Sequence, residues 1–526
     1  MTQNINNNIS KKILFTPKQA SLWASEYLGK KVTNNNILYL INYGKIANHS
    51  TDLTQNLIDK NELKAYYDKL YAQENRTHPL SFAKYKEAET TKHIHRLHPY
   101  KGKFIPQLVE YFLDSHTDEL KLESYFKKGD IILDLFCGSG TTLCVANELG
   151  MHAVGIDISC FNAMLSNAKL ARYDLLLLQN ELTRLIDCLE NHTQHTQTKA
   201  FEIALNEALS NFNQLYFPAK SFKRQLALRQ IDEKSHAIAK EQEFLTLYQN
   251  LAKQYEINLS INTGGDFFDR WYLDSIKNEL ILLKNEIKKA PKNLQDILMI
   301  IVSRTARSCR ATTHADLATL KEPITATYYC AKHGRICKPL FSTLKWFKSY
   351  AKDTLKRLQE FDSLKSDSFA FCLNADSTNV DIITQIQKHN NDFAALLQRQ
   401  KIAGIFSSPP YVGLIDYHEQ HAYAYDMFHL PRNDLLELGR LSNGQSKAAK
   451  EAYTQGVARS LINAKRFLKK DYNIFLVAND KFTLYPRIAE IAEMQIVTTY
   501  HRPVLNRSEK DKNEYSESIF HLKERQ

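Results

Sequence analysis

A turn with two glycines, set between a buried strand and a helix, is the feature that most constrains how this chain folds. Residues 131–136 form a short apolar run bounded by turn signals, and Gly138 and Gly140 follow directly. Short continuous apolar runs are typical of strands in a parallel sheet that is covered on both faces. A helix over 141–149 and a second strand ending at Asp157 come next. This alternation predicts an α/β domain with a parallel sheet.

The same turn has the composition of a cofactor site. Two glycines let the backbone turn tightly and approach a ligand at the N-terminus of the following helix. Asp157 places a carboxylate at the tip of the second strand, where it can bind a ribose diol. The dinucleotide pattern Gly-x-Gly-x-x-Gly is incomplete, because Leu143 stands at its last position. A purely structural turn between strand and helix is the alternative.

A second motif, Ser408-Pro409-Pro410-Tyr411, follows an apolar strand that ends at Phe406. Consecutive prolines lock a rigid, extended backbone just past the strand end, which leaves the carbonyl of the first proline as an acceptor. The Ser408 hydroxyl adds a second acceptor. The two oxygens can accept both hydrogens of an exocyclic amine, and Tyr411 offers a flat face on which a base can stack. A plain Pro-Pro turn is the alternative.

Further apolar runs extend the predicted sheet. They lie at 369–373, 402–406, 473–478, 495–500 and 518–522. The last two runs are close in sequence, so we expect them to form an antiparallel hairpin. Between residues 171 and 368 the chain is instead mostly helical in pattern and rich in Lys.

The two motifs together resemble those of the amino-methylating DNA methyltransferases. In that family a Phe-x-Gly-x-Gly motif binds S-adenosylmethionine and an (Asp/Asn/Ser)-Pro-Pro-Tyr motif does the chemistry, and the Ser form is similar to the N4-cytosine branch. Further stretches that look like this branch are 98–104, 416–421 and Asn479-Asp480. The resemblance covers residues 93–170 and 369–523. The cofactor motif precedes the catalytic one, which resembles the α arrangement, where the target-recognition region lies between the two halves.

The resemblance implies a Rossmann-like S-adenosylmethionine methyltransferase sheet and a role for individual residues. Asp157 would hold the ribose of the cofactor, Asp376 its adenine amino group, and Lys103 would lie near its methionine end. The implied cofactor-binding set is Lys103, Asp134, Phe136, Gly138, Gly140, Thr141, Asp157 and Asp376. The implied catalytic set is Ser408, Pro409, Pro410 and Tyr411. One departure from the family pattern is that Asp376 follows the long insertion, which therefore falls between the second and third strands.

Residues 13–74 contain three helical patterns. Thr16-Pro17 begins the first with a hydroxyl cap and a proline, Thr33 caps the second, and the third starts at Asp59. Their order and spacing resemble the small helix-turn-helix domain of excisionases, in which the second helix enters the major groove. The side chains directed toward DNA would be Asn34, Asn35, Asn36 and Tyr39. An ordinary helical cap packed on the next domain is the alternative.

These patterns divide the chain into six segments. They are a disordered arm (1–12), a helix-turn-helix-like DNA-binding domain (13–74), a charged linker (75–95), the first part of the methyltransferase domain (96–170), a helical insertion as candidate target-recognition region (171–368), and the second part of the methyltransferase domain (369–526).

The charge of the chain favours a polyanionic partner. Its net charge is +11 and its pI is about 9.0, which suits double-stranded DNA, although ribosomal and membrane-surface proteins share this property. Polar residues stand where a signal peptide needs an apolar core, and no apolar run approaches the ~20 residues of a membrane span. We therefore expect a cytoplasmic protein without membrane association and with reduced cysteines.

A cluster of soft ligands lies late in the insertion. Cys330, His333 and Cys337 fall within eight residues, and Cys309 or His314 is a candidate fourth ligand. Such close spacing is typical of structural zinc sites. Reduced cysteines packed beside a helix are the alternative.

The sequence thus predicts an enzyme that transfers a methyl group from S-adenosylmethionine to the N4 amine of cytosine in duplex DNA, alongside a companion restriction endonuclease. Methylation of carbon 5 needs a cysteine nucleophile, usually from a Pro-Cys dipeptide, and the chain contains no Pro-Cys. The target base would have to leave the duplex. Adenine N6 methylation, RNA methylation and a DNA-binding regulator with an inactive methyltransferase fold are the alternatives, and the helix-turn-helix pattern counts against RNA.

Overall fold

The chain forms two compact units in a computed structural model. The first unit comprises Met1–Thr77, Glu207–Thr246 and Tyr328–Cys337, and the second comprises His78–Asn206, Leu247–Thr327 and Lys338–Gln526. The structure describes residues 13–29, 32–42, 44–50, 52, 55–74, 78–218, 221–228, 230–314, 316, 320–339, 342–504 and 516–525. The predicted disordered arm, 1–12, lies outside the described residues.

The secondary structure alternates as the sequence predicts around the two motifs. The strands are β1 (Leu14–Phe15), β2 (Ile58–Asp59), β3 (Ile131–Asp134), β4 (His152–Asp157), β5 (Tyr328–Cys330), β6 (Arg335–Cys337), β7 (Ala370–Asn374), β8 (Ile402–Ser407), β9 (Leu468–Ala478), β10 (Met494–Pro503) and β11 (Ser516–Glu524). The helices are α1 (Pro17–Leu28), α2 (Asn34–Asn42), α3 (Lys60–Glu74), α4 (Glu87–Thr90), α5 (Pro106–Leu113), α6 (Thr141–Glu148), α7 (Cys160–Leu170), α8 (Leu175–His195), α9 (Thr198–Tyr216), α10 (Phe222–Ala227), α11 (Glu233–Gln254), α12 (Phe267–Trp271), α13 (Asp274–Ile287), α14 (Lys292–Ser308), α15 (Thr343–Asp362), α16 (Ile382–Gln387), α17 (Asn391–Gln400), α18 (Tyr417–Gln420), α19 (Ala422–Phe428), α20 (Lys447–Lys465) and α21 (Tyr485–Ile491). Within the described part of the chain, no helix has both the length and the apolar character needed to cross a bilayer.

The first unit begins with the three helices that the sequence predicts. Thr16 caps α1 in a capping box with Gln19, and the left-handed Gly29 ends it. The helices α1, α2 and α3 enclose a small apolar core, in which Ala24 and Ile37 are fully buried. A short antiparallel ladder between β1 and β2, which the sequence did not predict, ties the start of the unit to the start of α3.

A seven-stranded sheet forms the centre of the second unit, in the order β10-β11-β9-β8-β3-β4-β7. The five strands from β9 to β7 pair in parallel, and β11 runs antiparallel to both of its neighbours. This confirms the predicted parallel sheet with a late antiparallel hairpin. Strand β3 lies between β4 and β8, so the chain leaves β3 toward one side and returns on the other. In sheets of this kind the crevice at such a reversal is where ligands bind.

Apolar side chains cover both faces of this sheet. One core joins it to α16, α17, α20 and α21, and the other joins it to α5 and α6. Ile131 and Leu133 face the first core while Ile132 faces the second, because successive side chains of a strand point to opposite faces. The continuous apolar run in the sequence is therefore explained by burial on both sides.

The predicted insertion, 171–368, is not one separate region. Its helices α8, α13, α14 and α15 share a single apolar core with α7 of the methyltransferase domain. Residues 207–246 and 328–337 belong instead to the first unit. The segment is mostly helical, as its periodicity predicts. Periodicity shows only that a helix has an apolar face, however, and does not identify what that face packs against.

The predicted charged linker, 75–95, also differs from expectation within its described part, 78–95. Two short 3-10 helices, Pro79–Ser81 and His93–Arg96, and the single turn α4 give it structure. Ile94 is fully buried in the large helical core, and Lys92 forms an ion pair with Glu110. The segment is therefore a packed part of the second unit despite its polar composition.

Candidate active site

The two sequence motifs lie side by side because they end neighbouring strands. β3 and β8 pair in parallel, and Ser407 at the end of β8 donates a hydrogen bond of 2.6 Å to Asp134 at the end of β3. The backbone N–H of Phe136 donates to the same carboxylate at 3.2 Å and to the Ser407 hydroxyl at 3.2 Å. Burial raises the pKa of Asp134 to about 6. These buried hydrogen bonds hold the glycine turn next to the Ser-Pro-Pro-Tyr motif at 408–411.

The glycine turn needs its glycines for two reasons. Gly138 and Gly140 both have positive φ, +50° and +75°, which side chains disfavour. A Cβ on Gly138 would lie 2.8 Å from the Tyr100 hydroxyl, and one on Gly140 would lie 2.8 Å from the Ser166 hydroxyl. The turn is thus packed tightly against Tyr100 and Ser166, and Gly138 lines the crevice.

Asp157 ends β4 and is held by three N–H donors. Its Oδ2 accepts from the backbone N–H of Gly138 at 2.6 Å, and its Oδ1 accepts from the backbone N–H of Ser159 at 2.9 Å and from the Asn162 amide at 3.1 Å. Burial raises the pKa of this carboxyl to about 7 even though the three donors favour the ionised form. The carboxylate therefore both shapes the glycine turn and lies at the wall of the crevice.

The crevice is a cavity with an empty volume of about 800 Å³. The predicted site residues that line it are Lys103, Phe136, Gly138, Thr141, Asp157, Asp376, Ser408 and Pro410. Lining residues that the sequence did not single out for a role include Asn162, Leu436, Glu437 and Leu438. The cavity thus combines the ends of four strands, β3, β4, β7 and β8, with the irregular segment at 436–438.

Four predicted residues do not line this cavity. Asp134 is 1% exposed and accepts a hydrogen bond from Ser407 outside the cavity lining. Gly140 acts through the backbone at the start of α6. Pro409 is buried, and Tyr411 lines a neighbouring cavity with Asn479 and Asp480, the family-like pair after β9.

The Ser408 side chain has a defined hydrogen-bond direction. Its Oγ donates to the carbonyl of Val477 at 2.9 Å. A carbonyl can only accept, so the hydroxyl hydrogen of Ser408 is committed to this bond. The remaining lone pairs of Oγ are left as acceptors, and Ser408 is half-buried in the wall of the cavity.

Tyr411 is anchored at its hydroxyl end. Its Oη donates to Glu517 Oε1 at 3.0 Å, and the other oxygen of Glu517 pairs with Arg502 at 2.6 Å. The Arg502 side chain is 7% exposed and that of Glu517 is 12% exposed. The hairpin of β10 and β11 thereby holds the Tyr411 ring in place. Sequence reasoning missed this pair, since the two charges lie in a strand pattern that reads as solvent-facing.

Lys103 reaches the cavity from the family-like stretch 98–104. Its ammonium donates to the carbonyl of His95 at 2.6 Å. Burial, together with the nearby charge of Lys169, lowers the pKa of Lys103 to about 7. The side chain therefore changes its charge near neutral pH.

The two family-like stretches that the sequence offered separately lie against each other. The ring of Tyr100 stacks on that of Tyr417, with centroids 5.9 Å apart, and both residues line the cavity. Glu437, which is 7% exposed, accepts hydrogen bonds from the backbone N–H groups of Tyr417 at 3.1 Å and His418 at 2.7 Å. No motif marks Glu437, because it lies in an irregular loop where neither period nor spacing gives a signal.

The predicted metal ligands are divided between the two units. Cys330, His333 and Cys337 lie on the β5–β6 hairpin of the first unit. Cys309 and His314 belong to the second unit. Cys309 is fully buried in its large helical core.

Comparison with known proteins gives a consistent identification. Residues 2–164 match the model of a family described as DNA methylase, of the N6/N4 type. The type II methyltransferase M.MjaII of Methanocaldococcus jannaschii is 41% identical over 527 residues, covering 97% of each chain. The type II methyltransferase M.BsoBI of Geobacillus stearothermophilus is 39% identical over 72 residues, covering 14% of this chain and 13% of that one.

A solved structure was also found, the rRNA methyltransferase AviRa of Streptomyces viridochromogenes. It has 10% sequence identity and a TM-score of 0.28 over 83% of this chain and 92% of that chain, too low to support a conclusion. The nearly full-length similarity to M.MjaII is decisive, and it agrees with a cavity lined by the glycine turn, Asp157, Ser408 and Pro410. The chain therefore belongs to the type II DNA methyltransferases of the N6/N4 amino-methylating family.

Proposed function

We propose that this methyltransferase modifies the N4 amine of cytosine in duplex DNA, as the modification enzyme of a restriction-modification system with a companion endonuclease. The observation that carries the proposal is the state of Ser408. Its hydroxyl hydrogen is committed to the Val477 carbonyl, and its lone pairs are available at the cavity wall beside the glycine turn. A hydroxyl in this state can accept a hydrogen bond from an exocyclic amine. The choice of cytosine rests on the serine at this position of the motif, which is similar to the N4-cytosine branch.

The cavity residues suit S-adenosylmethionine, the methyl donor that methyltransferases of this family use. The glycine turn presents backbone without side chains at the cavity wall, and Asp157 and Asp376 provide carboxylates of the kind that bind a ribose diol and an adenine amino group. Lys103, whose pKa is lowered to about 7, would lie at the methionine end of the cofactor. When bound, the cofactor supplies an electrophilic methyl group on sulfur.

Catalysis by the protein would consist of acceptor placement and orientation. The Ser408 oxygen and the carbonyl of Pro409 would accept the two hydrogens of the target amine. These bonds draw the nitrogen lone pair out of conjugation with the ring and toward the methyl group. The N–C bond would form as the sulfur–methyl bond breaks with its electron pair left on sulfur, and the released N–H proton would pass to water, so no covalent intermediate with the enzyme is needed.

Tyr411 would hold the target base once it has left the duplex. Extrusion costs a few kcal/mol, and stacking on an aromatic ring returns ~1–3 kcal/mol per base. The hydroxyl bond to Glu517 would keep the ring at one angle, so that the amine meets the Ser408 and Pro409 oxygens in a fixed orientation.

The first unit is proposed to bind DNA through α2, in the manner of a helix-turn-helix domain. Asn34, Asn35, Asn36 and Tyr39 are all exposed on this helix, and the Tyr39 side chain is 49% exposed. The net charge of +11 supports an additional, sequence-independent attraction to phosphate.

Analysis of the methylated nucleosides tests the choice of base. The purified chain is incubated with S-adenosylmethionine and duplex DNA, the DNA is digested to nucleosides, and the products are identified by mass spectrometry. We expect N4-methylcytosine. N6-methyladenine without N4-methylcytosine would contradict the base assignment while leaving amino-methylation intact.

Two variants complete this test. Ser408→Ala removes the proposed acceptor and should lower the rate of transfer, whereas Ser363→Ala removes an exposed serine hydroxyl at the end of α15 and should not. Binding of DNA by the wild-type chain without transfer to any base would instead support the alternative of a regulator with an inactive methyltransferase fold.

A further inference from the structure

We propose that the first unit holds a structural zinc ion on the β5–β6 hairpin, through the two thiolates of Cys330 and Cys337 and the imidazole of His333. The three side chains offer ligand atoms that all lie within 4.8 Å of one another. The site goes beyond the methyl-transfer chemistry, since none of the three residues lines the cavity of the second unit described above.

The distances between ligand atoms match tetrahedral zinc. Zinc binds sulfur at ~2.3 Å and histidine nitrogen at ~2.0–2.1 Å, so at a tetrahedral angle the two ligand atoms lie about 3.5 Å apart. Cys337 Sγ and His333 Nδ1 are 3.5 Å apart. One ion can therefore contact both atoms without a rearrangement of the hairpin.

The local backbone brings the three ligands together. Cys330 is the last residue of β5, and its carbonyl accepts from the N–H of His333 at 3.0 Å and of Gly334 at 2.7 Å. Gly334 has φ +61°, which allows the chain to reverse within four residues. Cys337 then ends β6, the partner strand, and pairs across the ladder with Tyr328. Both thiols are buried, and His333 is on the exposed side.

The hairpin is short enough to benefit from a metal. Each strand has three residues, and an isolated two-stranded ladder is marginal in water. Contacts within the first unit hold the strands: the Asn213 side chain bonds both the N–H and the carbonyl of Ile336 at 2.9 Å, and the N–H of Tyr329 donates to Glu241 at 3.0 Å. A zinc ion would fix the turn at the other end of the same hairpin.

A structural zinc site takes four ligands, so one further ligand is required. The sequence candidates for it, Cys309 and His314, belong to the second unit. Cys309 is fully buried among apolar side chains there. The experiment therefore measures the ligand set, including its thiolate count, and does not assume it.

Metal analysis of the full-length chain, purified without chelator, tests the proposal. Mass spectrometry of the elements should find about one zinc per chain in the wild type. Cys330→Ser and Cys337→Ser should each lose most of it, and His333→Ala should weaken retention. Cys188→Ser, a half-buried cysteine of α8 outside the cluster, is the matched control and should keep its zinc.

A second measurement on the wild-type chain avoids dependence on folded variants. Cobalt substituted for zinc should give sulfur-to-metal charge-transfer absorption and the intense visible bands of a tetrahedral site. Titration with a mercurial reagent should release the metal as two thiolates react. Wild-type protein without metal, zinc retained in both cysteine variants, or a disulfide between Cys330 and Cys337 in reduced-buffer preparations would each overturn the assignment.

Discussion

The anchor on the Tyr411 hydroxyl gives the most direct test of how the site works. Tyr411→Phe removes one oxygen atom and leaves the ring, the strand end and the Glu517–Arg502 pair in place. A hydrogen bond to a charged acceptor is worth ~1.5–3 kcal/mol. Because Tyr411 is half-buried, we use the lower end, about 1.5 kcal/mol, which corresponds to about a tenfold loss in kcat/KM.

Tyr411→Ala removes the stacking surface as well. Stacking contributes ~1–3 kcal/mol per base, so the alanine variant should lose roughly a further five- to 150-fold. Affinity for S-adenosylmethionine should change little in either variant, since Tyr411 does not line the cofactor cavity. The assay is transfer of labelled methyl to duplex DNA under conditions that separate kcat from KM, with calorimetry for cofactor binding.

Strand β11, which carries Glu517, also provides a matched control. Tyr472 donates to Glu524 at 2.6 Å, which repeats the tyrosine–glutamate bond at the opposite end of β11. Glu517 and Glu524 are seven residues apart, or about 23 Å at the rise of a strand. Tyr472→Phe should therefore leave kcat/KM unchanged. Wild-type activity of Tyr411→Phe, or an equal loss in Tyr472→Phe, would refute the anchoring role.

Three further predictions concern the surroundings of the strip. Gly138→Ala should reduce cofactor affinity at least tenfold, as measured by calorimetry, because the residue has φ +50° and the new Cβ would lie 2.8 Å from the Tyr100 hydroxyl. Unchanged affinity would show that the turn can adjust to a side chain. Burial raises the pKa of Asp157 to about 7, so the folded state binds more protons than the unfolded state between about pH 4 and 7, and its contribution to stability is lost as pH rises through 7. Asp157→Asn should abolish that part of the pH dependence of the unfolding free energy, and an identical pH profile would contradict the shift. Glu517→Gln leaves the buried Arg502 without a counter-charge, and breaking a buried pair on one side costs ~3–5 kcal/mol. The midpoint of urea unfolding should therefore shift to a lower urea concentration. An unshifted midpoint would mean that the pair is effectively solvated.

Much of the second unit followed from local patterns. The apolar runs at β3, β4, β7 and β8 predicted their strands to within a few residues, because burial on both sheet faces leaves no polar position in the run. The late hairpin was predicted from two runs close in sequence, and β10 and β11 do pair antiparallel. The predicted start of β9 is too late, because Lys469, Lys470 and Asp471 interrupt the apolar pattern between the buried Leu468 and Tyr472.

The candidate site was predictable where one short motif carries it. The glycine turn, Asp157 and the strip at 408–411 were identified because each ends a recognisable strand, and parallel strands bring such ends to one edge of the sheet. The hydrogen-bond partners of individual residues could not be predicted from the sequence. Asp134 reads as a cofactor ligand in the sequence, yet its carboxylate is used to bind Ser407, 273 positions away.

The sequence by itself determined the short motifs that the chain carries: a glycine turn, an acidic strand tip and a Ser-Pro-Pro-Tyr strip, each encoded within a few consecutive residues. The tertiary structure alone decided which distant groups complete them. Val477 commits the Ser408 hydroxyl and Glu517 anchors the Tyr411 ring, through strands that lie next to β8 or beyond it in the sheet. The reason is physical: local periodicity records which face of an element is buried, whereas strand order and the partners of polar side chains are fixed only when the whole chain packs.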